Sequence, residues 1–178
     1  MISILGTPGA GKTTQTKLLA EYLNCPWFSM GELIRQYATG QARQDMLEGK
    51  IIDDTITLGI LEKALSKIDT KNEECIVEGN PRTLRQAKWW EAKIQDGSFK
   101  ITGFIHLVAS EKVASQRMAK RGRLDDHENV VQERFSEYRA NTKQSLEYLR
   151  EKGYIVHEID ANGTIEDSEK KIHQALGV

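Results

Sequence analysis

Five short runs of β-branched and apolar residues punctuate the chain: Ile2 to Leu5, Pro26 to Ser29, Cys75 to Val77, Gly103 to Val108 and Tyr154 to Ile159. Bounded by glycine, proline and polar clusters, they predict strands. Between them apolar positions recur at three- and four-residue steps, which predicts helices over Thr14 to Leu23, Thr55 to Ile68, Leu84 to Ile94, Glu111 to Lys120 and Asn129 to Arg150. In the last of these, Val131, Phe135, Tyr138, Thr142, Leu146 and Leu149 form one mostly apolar stripe, expected to pack on the sheet. Ile165 to Leu176 reads as a closing amphipathic helix. Alternation of this kind predicts an α/β fold of βαβ units around a parallel sheet. Leu33 to Ile60 breaks it: no convincing strand, three glycines and several charges, so this stretch reads as helices and turns inserted after the second strand.

The chain has 178 residues, which at ~150 residues per domain is about one domain. Its 25 Lys+Arg balance 26 Asp+Glu, a net charge of −1, so no bulk field draws it to nucleic acid or an anionic membrane. Any anion must be caught locally. No apolar run approaches the roughly 18 residues of a membrane span, and the first residues carry no basic stretch, so a cytoplasmic location is expected. Cys25 and Cys75 lack C-x-x-C spacing and read as buried thiols rather than a disulfide or zinc ligands. Trp89 and Trp90 adjoin on a predicted helix, where both cannot face the core.

The first strand runs into Gly6-Thr-Pro-Gly-Ala-Gly-Lys12-Thr13, a full match to G-x-x-x-x-G-K-[ST] in strand, loop, helix context. Glycines let backbone N–H groups converge on phosphates, the following helix adds its positive end, Lys12 reaches the β/γ oxygens, and Thr13 can ligate Mg²⁺. A nucleoside triphosphate is the expected ligand. A guanine-reading Asn-Lys-x-Asp is absent, which argues against a GTPase, and a multi-domain mechanical ATPase does not fit the length.

Three further blocks resemble the adenylate kinases and their nucleoside monophosphate kinase relatives over nearly the whole chain: Ser29-Met-Gly-Glu-Leu-Ile-Arg35, Glu78-Gly-Asn-Pro-Arg82-Thr-Leu-Arg-Gln86-Ala, and Arg117-Met-Ala-Lys-Arg121-Gly-Arg123-Leu-Asp125-Asp126 followed by Arg134. The resemblance implies a P-loop NTPase-type three-layer fold with a five-stranded parallel sheet, a helical monophosphate-binding subdomain over 30–60 and a short lid over 117–126, all within one domain spanning 1–178. It implies transfer of the γ-phosphoryl of Mg-ATP to AMP, giving two ADP. Lys12, Arg82, Arg121, Arg123 and Arg134 would then be catalytic. Gly9, Ala10, Gly11, Lys12, Thr13, Thr14, Arg117, Arg121 and Gly163 would bind ATP. Met30, Arg35, Ile51, Ile52, Gly79, Arg82, Gln86, Arg123 and Arg134 would bind AMP, Gln86 pairing with its adenine. Thr13 and Glu78 would serve Mg²⁺. The expected partners are these small nucleotides, with no nucleic acid and no membrane, and the expected state is a monomer.

The chemistry supports those residue types independently. Two polyanions meet only if their repulsion is neutralised, and arginine forks bind phosphate oxygens bidentately where lysine acts as a point charge. Read without the resemblance, Arg35 could pair with Glu32 one turn away, Gln86 could be a solvated helix residue, the arginines from 117 to 123 a solvated helix end, and Asp125 and Asp126 a helix cap. The chain also departs from the family's pattern. Met30 stands for a threonine at the acceptor-base pocket, Glu78 for an aspartate, and Asn80 for an aromatic residue before Pro81, which raises the question of a cis bond there. The gap from Arg121 to Arg123 is shorter than in other short lids, and a leak of ATP hydrolysis is expected. Another monophosphate or small acceptor, and a non-catalytic ATP-binding protein, remain the alternative readings at this point.

Overall fold

The computed structural model describes residues 1–122 and 127–178. β1 (Ile2–Gly6) lies at the centre of a parallel sheet, pairing with β3 (Ile76–Glu78) on one side and β4 (Gly103–Val108) on the other. β2 (Trp27–Ser29) flanks β3 and β5 (Val156–Asp160) flanks β4, so the order is β2-β3-β1-β4-β5. Strands covered on both faces need apolar residues on both, which is why β1 and β4 read as almost continuous apolar runs. β5 begins two residues after its predicted start. The Tyr154 N–H donates to Leu149 O at 3.0 Å, so Tyr154 finishes a helix before the sheet begins. β3 in turn extends to Glu78, a buried carboxylate in register with Ile4 and Ser29.

Helices cover both faces. Ile2, Ile4, Ile105 and Leu107 pack with residues of α1 (Lys12–Leu23), α6 (Glu111–Arg121) and α9 (Ile165–Leu176). Leu5, Val77 and Phe104 pack with Leu61 and Leu65 of α4 (Asp54–Leu65), Trp90 of α5 (Leu84–Gln95), and Leu146 and Leu149 of α8 (Lys143–Glu151). Trp90 is fully buried and Trp89 only partly, as adjacency requires. α2 (Met30–Tyr37), α3 (Gly40–Leu47) and α4 form the insertion, with a small apolar cluster of its own around Ala38, Ala42 and Ile52. α4 ends before the predicted Ile68, whose N–H turns back to Leu65 O.

The stretch predicted as one helix from Asn129 to Arg150 is α7 (Glu128–Glu137), a π-helical turn (Tyr138–Thr142) and α8. Its stripe is buried throughout, but Val131 and Phe135 join the core on one face of the sheet while Leu146 and Leu149 join that on the other. The run therefore passes from one face to the other, and the π turn falls at the passage. An extra residue per turn is a local change that three- and four-residue spacing does not record.

His127 occupies the N-cap of α7, while Arg123, Asp125 and Asp126 lie outside the described residues. Cys75 is buried, and desolvation pushes its thiol up to about 12; Cys25, expected to be buried, is only half-buried because it sits in the loop ahead of β2. Among the described residues, no helix is long and apolar enough to cross a membrane.

Candidate active site

The chain winds from β1 toward β2 and β3, then crosses to β4 and β5, and at such a reversal an open parallel sheet forms a crevice beyond its strand ends. The loop after β1 fills one side of it. At Gly9 (φ +75°) a Cβ would lie 2.5 Å from Ala114 O, so α6 can press against the loop only because residue 9 has no side chain. Gly11 caps α1 with no side-chain bond, leaving the first-turn N–H groups of α1 directed into the hollow.

Lys12 Nζ bends over the loop and donates to Gly6 O at 3.0 Å and Thr7 O at 2.9 Å. Burial lowers its pKa to about 7, with the charges of Arg82, Arg121 and Arg134 acting in the same direction and Glu78 against them. The Thr13 hydroxyl donates to Glu78 Oε2 at 3.2 Å, joining the start of α1 to the end of β3.

From there a single cavity of about 580 Å³ runs to the insertion. Gly9, Ala10, Gly11, Lys12, Thr13, Thr14, Arg117 and Arg121 line one part; Met30, Arg35, Ile51, Ile52, Gly79, Arg82 and Gln86 line the other, and Glu78 and Arg134 also border it. Gly163 is not a lining residue: its carbonyl, with that of Ala161, accepts the Arg117 guanidinium at 2.7 and 2.8 Å. The local field absent from the net charge is here. Among the described residues, Lys12, Lys17, Arg35, Lys50, Arg82, Arg117, Arg121 and Arg134 face the cavity against only Glu78 and Glu137.

Arg82 is held by its Nε bond to Gly79 O at 2.9 Å. Crowding by protein, then the charges of Arg134 and Arg35, lowers its pKa, while Glu78 opposes the shift. No ion pair ties Arg35 to Glu32 among the described residues. Gln86 is not a solvated helix residue: it is 1% exposed and bonded to Asn80, Asp54 and the Arg82 N–H. The Asn80–Pro81 peptide is cis.

Tyr138 and Thr142, read from the sequence as packing residues, also line the cavity because the π turn crosses its floor. The Tyr138 hydroxyl lies 2.7 Å from His106 Nε2, and burial pushes its pKa up to about 12. His106, 5% exposed on β4, has its Nδ1 3.3 Å from Glu158; burial lowers its pKa more strongly than Glu158 raises it. The only sequence signal for this pair was a histidine inside an apolar strand. Chemically, the cavity offers phosphate-binding cations at both ends, and a hydroxyl and a carboxylate suited to a hard divalent cation between them.

Residues 4–154 match the family model described as adenylate kinase. Similar relatives include an adenylate kinase of Corynebacterium urealyticum, 35% identical over 92% of each chain, and one of Corynebacterium aurimucosum, 34% identical over 98% of this chain and 97% of the relative. An adenylate kinase of Oenococcus oeni is 34% identical over 92% of this chain and 90% of its own. With the P-loop, the cationic cleft and the sheet order already in place, these matches mean that the chain belongs to the adenylate kinase family.

Proposed function

We propose that the enzyme transfers the γ-phosphoryl group of Mg-ATP to the phosphate of AMP, giving two ADP, and that one chain suffices for the reaction. The observation that carries this reading is the single cavity with Lys12 and Arg121 at the P-loop end and Arg35 and Arg82 at the insertion end. A protein that only bound or hydrolysed ATP would need the first set alone.

The loop N–H groups and Lys12 hold the triphosphate, while Arg35 and Arg82 hold the acceptor phosphate. Arg121, Arg123 and Arg134 neutralise charge that spreads over the equatorial oxygens of the moving group, each such arginine contributing on the order of 10³-fold in rate. A general base is unnecessary, because the attacking phosphate oxygen is already ionised at neutral pH. Met30, Ile51 and Ile52 supply apolar cover that displaces water from the acceptor. Thr13 and Glu78 fit the requirement of Mg²⁺ for hard oxygen donors, and the ion would add positive charge beside the β/γ oxygens when bound.

AMP, CMP, UMP and dGMP offered side by side in a coupled assay test the reading. ATP consumption that yields two ADP per AMP, and tight binding of an analogue spanning both sites, are expected. ATP binding with no transfer to any of the four would overturn it.

A further inference from the structure

The reaction as derived makes no use of His106, a buried ring in the second half of β4 that does not itself line the cavity. Its two nitrogens meet partners of opposite demand. Nδ1 lies 3.3 Å from Glu158 Oε2 on β5, and Nε2 lies 2.7 Å from the Tyr138 hydroxyl. Glu158 Oε2 also accepts from the Arg150 guanidinium at 3.2 Å. A carboxylate oxygen only accepts, so the ring hydrogen belongs on Nδ1, and Nε2 is left with a lone pair into which the Tyr138 hydroxyl donates. Burial disfavours charge on the ring more than Glu158 favours it, and the charges of Arg150 and Lys12 act with burial. The ring is therefore neutral near pH 7, as an acceptor must be.

What this bond holds is the π turn. Tyr138 opens the turn and Thr142 closes it. The Thr142 hydroxyl donates to Arg82 O at 3.4 Å, and the buried Ser145 hydroxyl lies at the same distance from Pro81 O, so the far end of the turn is stitched to the loop that carries Arg82. One turn before Tyr138, in the last turn of α7, stands Arg134. A π turn has more residues per turn than the helices on either side, so helical periodicity does not hold its register and a contact from outside must. The sheet supplies that contact: Glu158 on β5 orients His106 on β4, and His106 holds Tyr138. We propose that His106 is a positioning residue for phosphoryl transfer: as a hydrogen-bond acceptor it pins Tyr138, and through the π turn it sets where Arg134 stands relative to Arg82. The inference rests on the functional reading above and adds to it a residue outside the cavity lining.

The requirement is for an acceptor, not for an imidazole as such. Glutamine carries an amide oxygen at the position of Nε2 and can accept the same hydroxyl, whereas leucine fills the space and accepts nothing. An imidazolium also fails, because both of its nitrogens donate. Without the acceptor the buried Tyr138 hydroxyl loses this partner, and the turn must shift for it to find another. Arg134 shifts with the turn. A group that meets the moving phosphoryl loses on the order of tenfold in rate for a displacement of a fraction of an ångström.

The test combines steady-state kinetics with AMP varied, calorimetry with ATP, and nitrogen NMR of the histidine-labelled parent. Near pH 7 the His106 signals, assigned by their loss in His106→Gln, are expected to show a neutral ring with its hydrogen on Nδ1; a charged ring, or the hydrogen on Nε2, overturns the proposal. Tyr138→Phe and His106→Leu should each lower kcat/KM for AMP by about tenfold, with ATP affinity unchanged within about twofold. His106→Gln should stay within about threefold of the parent, a rescue that the mere filling of space does not give. Parent-like kinetics in a folded Tyr138→Phe enzyme, His106→Gln as impaired as His106→Leu, or an equal loss of ATP affinity would each overturn the role of His106. Should His106→Leu fail to fold, Tyr138→Phe and the NMR spectrum decide. A parent that transfers phosphate to no nucleoside monophosphate overturns instead the functional reading, and the inference with it.

Discussion

Gly49→Ala places a single methyl group where the insertion meets α7. Gly49 has φ +81°, and a Cβ there would lie 2.8 Å from Val130 O, 2.9 Å from Val130 Cγ1 and 3.3 Å from Arg134 Cγ. A left-handed backbone carrying a side chain costs about 1–2 kcal/mol. The approach to a backbone oxygen on a packed helix is also roughly 0.6 Å too close, which rotamer changes cannot relieve. The turn must retreat from α7, taking with it Lys50, Ile51 and Ile52, which line the insertion end of the cavity, and loosening the seat of Arg134. Displacement by a fraction of an ångström to 1 Å at a reacting pair costs on the order of 10- to 100-fold. Steady-state kinetics with AMP varied should therefore show kcat/KM down by about that factor, while calorimetry finds ATP affinity unchanged within about twofold. Parent-like kinetics in a folded Gly49→Ala enzyme would refute this reasoning, as would an equal loss of ATP affinity.

Four other outcomes are expected. Arg82→Ala should reduce transfer to AMP by about 10³-fold or more while ATP binding, measured by calorimetry, stays nearly intact; unchanged ADP formation would remove Arg82 from the acceptor site. Lys12, with its pKa lowered to about 7 by burial, is largely neutral above that pH and must be charged to hold phosphate, so ATP binding near pH 8 should take up a proton, detectable as buffer-dependent heat. Below about pH 7 the lysine is already charged and the uptake should vanish, as it should in Lys12→Gln at any pH. The short lid expected from the sequence over 117–126 predicts slow ATP hydrolysis without acceptor in a phosphate-release assay, and its absence would count against poor exclusion of water. Leu149→Ala empties a fully buried position and should cost about 2–5 kcal/mol, read as a lower Tm with no comparable change in KM.

Local pattern was enough for much of this protein. The P-loop is a contiguous string whose geometry follows from its own residues, so Gly9 to Thr14 were legible without a fold. β1 and β4 were legible because strands buried on both faces leave an unbroken apolar run. The departure at Asn80 was visible in the sequence, but its partner was not: Trp90 lies ten positions away, and only the docking of α5 on the sheet brings the indole to the amide.

Tertiary structure alone decided which distant groups share one electrostatic environment. Lys12, Arg35, Arg82 and Arg134 come from the ends of different elements, and nothing local determines that they converge, because convergence follows from strand order and from the passage of the α7–α8 run across the sheet. Tyr138 shows the limit most clearly. Its helical spacing stated correctly that it would be buried, yet burial is a property of one residue, whereas bordering a cavity and touching His106 are relations among residues set by long-range packing.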